Sequence, residues 1–357
     1  MYYARVRRTA GSLAVLAAAG LGTALATASS PLGDASRPQV PLGRCSGGAV
    51  QHVVFSVPLP GQPGQMLLSE GTLWVAIQPA HWGRPGRLLA LDPSSGRVRR
   101  VIRLPVSPMR FVAGFGSLWL TGAGGGGRYS GVLRLDPRSG RVLRVIRGIH
   151  PLGSALAATS RAIWIAGADT FPAGHPEKSG VYFVYKIDPR RGAVVRQVRL
   201  RSTVIDLVGD GAALWVTGWL AVPKLSEAGR VLFRQPIVGS GWSIARAGEG
   251  VWVAHTFNGS RRDRQPPPAR ELYRIREFSR PHLTRIPLEE SPWEVSAAGG
   301  VAWVAAGRSS NQVLRLDDTR TPSPTATPVS GIVRGIQAVA GGAWVAQLKP
   351  NQLSRIC

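Results

Sequence analysis

The chain has 357 residues, 44% of them apolar, which is ample for one repeat domain with a sizeable core. Lys and Arg number 44 against 19 Asp and Glu, a formal charge of +25, while Cys occurs only twice. That count excludes a cysteine-cluster metal site, and charge without a recognition motif does not make a nucleic-acid binder.

Arg5, Arg7 and Arg8 precede an apolar run over residues 13–27, and Ala26-Thr27-Ala28 is a small-residue cleavage site. Residues 1–28 are therefore expected to be a signal peptide, giving a secreted or extracytoplasmic protein. The run is short of the roughly 20 residues a span requires, so a membrane anchor is the alternative if the signal stays uncleaved. Arg7-Arg8 leaves the export route open. Residues 29–50 form a Pro/Gly/Ser-rich tether. Cys45 lies within it, behind Arg44 and too far from the apolar run to be a lipoprotein cysteine.

From residue 51 onward one phrase repeats. Trp74, Trp119, Trp164, Trp215, Trp252, Trp303 and Trp344 stand in segments such as TLWVA and GAWVA, separated by 45, 45, 51, 37, 51 and 41 residues. A period of roughly 40–50 residues with four short strands per unit predicts an all-β chain, a seven-bladed β-propeller over residues 51–357. The second unit shows the plan, with strands expected at 109–114, 117–122, 132–136 and 141–147. Between the last two, Asp136-Pro137-Arg138-Ser139-Gly140 has turn chemistry, repeated at 92–96 and 188–192 and more weakly at 226–229. Eight residues before each Trp stands a large apolar side chain: Met66, Phe111, Leu156, Leu207, Ile244, Val295 and Ile336. Both sets read as packing between blades rather than as a platform for ligand rings.

After Trp344 only one more strand fits, at 352–356, before Cys357. Residues 52–60 resemble the outermost strand of the first unit, so the N-terminal strand is expected to complete the last blade and remove its open edge. Cys45 lies just upstream of that strand and Cys357 at the end of its partner, which predicts a disulfide in an exported chain.

Forty of the basic residues are Arg, many on outer strands (Arg97, Arg100, Arg144, Arg196). A basic rim suits an anionic envelope polymer or acidic headgroups, while compositional bias and edge protection are the plainer reading. On the loop face, the residues nine before each Trp include Arg110, Asp206 and Glu294, with Trp242, Trp293 and Arg334 beside that row. This mixed aromatic and charged mouth suits a polar ligand with an apolar face, either a small molecule or a protein. No catalytic motif is present; the weak candidates are His255 and Glu294, with Glu289 and Glu290 nearby in sequence. No cofactor or metal is expected, no nucleic-acid partner, and a monomeric chain.

Phe115-Gly116-Ser117-Leu118-Trp119-Leu120, followed by Val132-Leu133-Arg134-Leu135-Asp136-Pro137-Arg138-Ser139-Gly140, resembles the YVTN-type and streptogramin-lyase-like propellers of exported actinobacterial proteins. The resemblance spans about residues 50–357 as a repeat pattern and implies the fold. In the lyases, histidine and acidic residues around Mg²⁺ at the channel mouth open a cyclic ester by elimination. No stretch here matches that motif, and only His255 with Glu294 is suggestive of it. Pyrroloquinoline-quinone propellers share the architecture but need a calcium site that has no counterpart here. A non-catalytic binding scaffold is therefore the expected function, with a metal-dependent C–O lyase as the alternative.

Overall fold

A computed structural model describes residues 51–357, apart from 82, 125–130, 150, 169–181, 201, 257–269, 278–281, 308–310 and 320–321. The segments expected to be signal and tether, Cys45 included, lie outside the described residues. Every regular element described is a β-strand.

The second unit forms four antiparallel strands in chain order, Ser107–Gly114, Ser117–Ala123, Val132–Leu135 and Val142–Ile146. Residues 117–121 of the Trp strand are all buried, because sheets cover both of its faces, whereas in the outermost strand only Ile146 is buried. The Asp136 carboxylate accepts the Arg138 N–H, the Gly140 N–H donates to the Asp136 carbonyl at 2.8 Å, and Gly140 takes φ +73°. The same closure recurs at Asp92/Gly96 and Asp188/Gly192. Ser226 and Gly229 make the weaker version.

All seven repeat Trp residues are buried, and so are all seven apolar residues eight positions before them. Each of those apolar side chains shares a core cluster with the Trp of the preceding unit: Phe111 with Trp74, Ile244 with Trp215, and Met66 with Trp344, which closes the circle. The inner strands contact one another in the same order, ending with Ile332–Val339 against Gln62–Ser69. The protein is an all-β propeller built from four-stranded blades.

Closure is as the strand count requires. Val53–Pro58 pairs antiparallel with Gln352–Ile356, in the register Val53↔Ile356 to Pro58↔Gln352, and supplies the outer strand of the last sheet. Phe55 packs edge-on against Trp344 at 5.4 Å, and the Trp344 indole donates to the Pro93 carbonyl at 3.0 Å, tying last unit to first. His52 and Cys357 exchange backbone hydrogen bonds of 3.3 and 3.2 Å.

Among the described residues there are six sheets rather than the seven expected, five of four strands and one of six, and the fourth and fifth Trp units share the large one. The physical reason is two long strands, Ala213–Leu225 and Val231–Ala247. The first runs without a break through Leu220, at φ +62°, and the second passes directly from one unit's outer edge to the next unit's inner edge.

Candidate functional site

The inner strands line a central cavity of about 380 Å³, to which Gln65, Arg110, Asp206, Ser243 and Glu294 contribute. At the end where each inner strand begins, this cavity adjoins a second of about 430 Å³, lined by Gln62, Gln65, Arg110, Trp293, Glu294 and Arg334. Four of the expected mouth residues (Arg110, Trp293, Glu294 and Arg334) thus share one cavity, and Asp206 joins Arg110 and Glu294 deeper in the channel.

Trp242 does not join them. It is 36% exposed, sits at the register shift between Gly241 and Ser243, and lines neither cavity. Trp293, which lines the mouth, is also partly buried against the cluster that holds Trp303, Val333 and Ile336. Its role is therefore shared between core and mouth.

The polar row also does a structural job. An inner strand has a free edge facing the channel, and its N–H groups need acceptors. The Gln65 side chain accepts the Phe111 N–H at 2.7 Å, Asp206 accepts the Ile244 N–H at 3.2 Å, and Ser243 accepts the Val295 N–H at 3.3 Å. Glu294 accepts the Ile336 N–H in the same way. In each case the residue nine before one Trp reaches the backbone eight before the next, so these side chains bind neighbouring strands to each other. The Ser243 hydroxyl also hydrogen-bonds Asp206, linking three successive units. The missed signal was the pairing of the two rows: acceptors at one offset and the core residue one position on.

Burial raises the pKa of Asp206, opposed by the Arg110 charge and by hydrogen bonds from Leu207, Ile244 and Ser243. Glu294 is pushed up to about 7, again by burial, with Arg110 and the Ile336 N–H pulling it down and Asp206 adding repulsion. Arg110 acts on both carboxylates through the channel and, among the described residues, makes no ion pair with either within 4 Å. Lacking an acceptor atom, it breaks the row of strand-binding side chains and leaves a cationic group facing the cavity. Arg334 is exposed at the rim.

His255 stands elsewhere. It is fully buried, its ring stacks on Tyr273 at 4.6 Å, and its cross-strand partner is Glu271, not the glutamates of the following unit. Burial lowers its pKa, with the Val238 backbone and Glu271 opposing. It lines neither cavity. Among the described residues, no group of three or more His, Cys, Asp and Glu side chains converges as a metal site would require.

No protein-family model matches the chain, and no curated protein sequence matches it. Solved structures do match in fold. BamB from Moraxella catarrhalis superposes with a TM-score of 0.57 at 12% identity, covering 86% of this chain and 98% of that one. The Pan2 WD40 domain of Neurospora crassa gives 0.63 at 13%, covering 86% and 94%. Hydrazine synthase of Kuenenia stuttgartiensis gives 0.62 at 15%, covering 86% and 99%. At such identities the likeness establishes the β-propeller architecture alone.

Proposed function

We propose that the protein is a non-catalytic binding propeller whose ligand sits in the mouth cavity between Trp293, Glu294, Arg110 and Arg334. The observation that carries this reading is the coincidence, in one concave site of about 430 Å³, of an aromatic wall, two cationic side chains and a carboxyl group that titrates near neutrality. An aromatic face supplies area and the charged groups supply orientation, the usual division of labour in a ligand pocket. The ligand class is a polar molecule with an apolar face, small enough to enter the channel. Crystals grown with hits from a thermal-shift screen should show ligand density at this mouth; density only elsewhere contradicts the assignment. Mg²⁺-dependent opening of a cyclic ester, lost in His255→Ala, contradicts the non-catalytic reading.

The architecture we propose is seven-bladed. The six-stranded sheet counts as two blades run together, because Lys224 lies over Trp215 as the third-strand cations do in other units, and because Ala221–Leu225 pairs with Val231–Pro236 as a third strand with a fourth. The family we propose is the YVTN and streptogramin-lyase-like group, supported by the repeat phrases. Export through the signal at residues 1–28, an outer rim suited to anionic envelope polymers, and a Cys45–Cys357 disulfide complete the proposal. The backbone pairing of His52 with Cys357 supports the last, since it sets a residue seven positions after Cys45 beside the second cysteine.

A further inference from the structure

In six of the seven units the third strand carries a cation at or near the position across from the repeat Trp, and in four of them it lies over the ring. Arg134 pairs across from Trp119, Lys186 from Trp164, Arg274 from Trp252, Arg315 from Trp303 and Arg355 from Trp344, while Lys224 reaches Trp215. Four of these head groups lie 5.1, 5.7, 5.2 and 5.1 Å from the ring centroids, the separation of a cation–π contact. They then reach the next unit's turn: Arg134 donates to the Pro189 carbonyl at 2.8 Å, Lys186 to Glu227 at 3.0 Å and Arg274 to Thr319 at 2.7 Å.

The first unit lacks that cation. The residue across from Trp74 is Ala90, and in place of an arginine there is a cavity of about 280 Å³. Trp74 is the most exposed of the seven, at 6% against at most 2% for the rest. The cavity lies at the opposite end of the blades from the mouth, where the inner hairpins turn at Ser69–Thr72 and Gly114–Ser117.

The charges around it decide what could enter. Arg100, across from Ala90 on the outer strand, donates to the Pro137 carbonyl at 3.1 Å and to the Arg138 carbonyl. The turn acceptors that other units offer to their own cation are thus occupied. What remains is a small exposed part of Trp74 with the apolar wall of Ala90, Ala113 and Leu118, and a rim of Arg99, Arg100 and Arg138 against a single acid, Glu70. Arg99 is paired with Asp92, so Arg100 and Arg138 carry the excess positive charge.

We propose that this vacated position is a second binding site, taking a planar aromatic group that bears a carboxylate. The ring would pack against the exposed part of Trp74 and the apolar wall beside it, and the anion would face Arg100 and Arg138. An apolar cavity of about 150 Å³ takes a benzene, so this larger one has room for a bicyclic ring. The site rests on the repeat comparison and the local charge, independently of the mouth.

Indole-3-acetate and tryptamine share a ring and differ in charge, so titrating both against the wild-type protein by calorimetry separates the outcomes. Saturable one-to-one binding of indole-3-acetate, at least tenfold tighter than tryptamine, is expected. Ala90→Arg puts the repeat cation at this position and fills the space; it should weaken that binding at least tenfold in a variant shown to be folded by a cooperative melt. Ala90→Met gives the same test with a smaller side chain should the arginine prevent folding. Arg100→Gln should weaken binding of the acid and narrow its advantage over the amine. Equal affinity for the two probes, no binding at millimolar concentration, or full binding in both filled variants overturns the proposal.

Discussion

Glu294 and Asp206 show how one side chain can serve strand pairing and a cavity at once. Each accepts a backbone N–H of the next unit, yet each is held in a setting that favours its neutral form. For Glu294, with a folded-state pKa of about 7 against an ordinary 4.5, the folded protein retains a proton that the unfolded chain has lost. That contribution is full below pH 4.5 and is lost as pH rises through 7. Glu294→Gln keeps an acceptor for the Ile336 N–H and removes the ionisation. It should match wild type near pH 4 and melt a few degrees higher at pH 8, a difference read by calorimetry at the two pH values. A variant that is less stable at both would show that the carboxylate is needed in its charged form. The residue scale also holds a test of ring closure. Gly96 has φ +66°, and a Cβ there would meet Val57 at 2.8 Å and Trp344 at 2.9 Å, whereas Gly71 has φ +68° with nothing within 4 Å. Gly71→Ala should cost about 1 kcal/mol for backbone conformation alone. Gly96→Ala should cost roughly 1–3 kcal/mol more from overpacking, measured by denaturant titration. Equal costs would mean that the closing strand yields freely.

Among the elements, the N-terminal strand bears the clearest prediction. Val53–Pro58 covers the edge of Gln352–Ile356, and its removal leaves a row of unpaired backbone groups on the last sheet. Deleting residues 51–60 should give aggregated protein; a soluble variant with a cooperative melt would contradict that closure. The elements also show what was legible in the sequence. The Trp rhythm, the apolar row eight positions earlier and the Asp-to-Gly turns were readable because every interface between units demands the same large residue and the same tight bend. The merging of units four and five was not. Trp219-Leu220-Ala221 carries no Gly, Asn or Pro, so nothing local announces that Leu220 turns the chain at φ +62°. His255 was paired by sequence proximity with glutamates of the following unit, whereas its partner Glu271 is set by cross-strand register. The double duty of Gln65, Asp206 and Glu294 depends on a neighbour some forty residues away, which a one-unit reading does not see. The Ala90 departure was visible in principle, since aligning the third strands leaves it as the one position without Lys or Arg.

On the scale of the molecule, a closed ring shares its stability among successive interfaces, and the ends must be held together for any interface to persist. A Cys45–Cys357 bridge would close nearly the whole chain and contribute roughly 5 kcal/mol in the chain-entropy picture. Protein isolated from an oxidising compartment should show the linked peptide pair by mass spectrometry, and reduction should lower its melting temperature; two alkylatable thiols in that material would contradict the bridge. The channel mouth, the proposed binding site, gathers groups from several units into one concave site. Titration calorimetry of the best ligand from a thermal-shift screen, on wild type, Arg110→Ala and Arg334→Ala, with mass analysis of the recovered ligand, tests this claim most directly. One saturable site, weakened at least tenfold in both variants with the ligand returned unchanged, is the expected result; undiminished binding in both variants, or a chemically altered ligand, would contradict it.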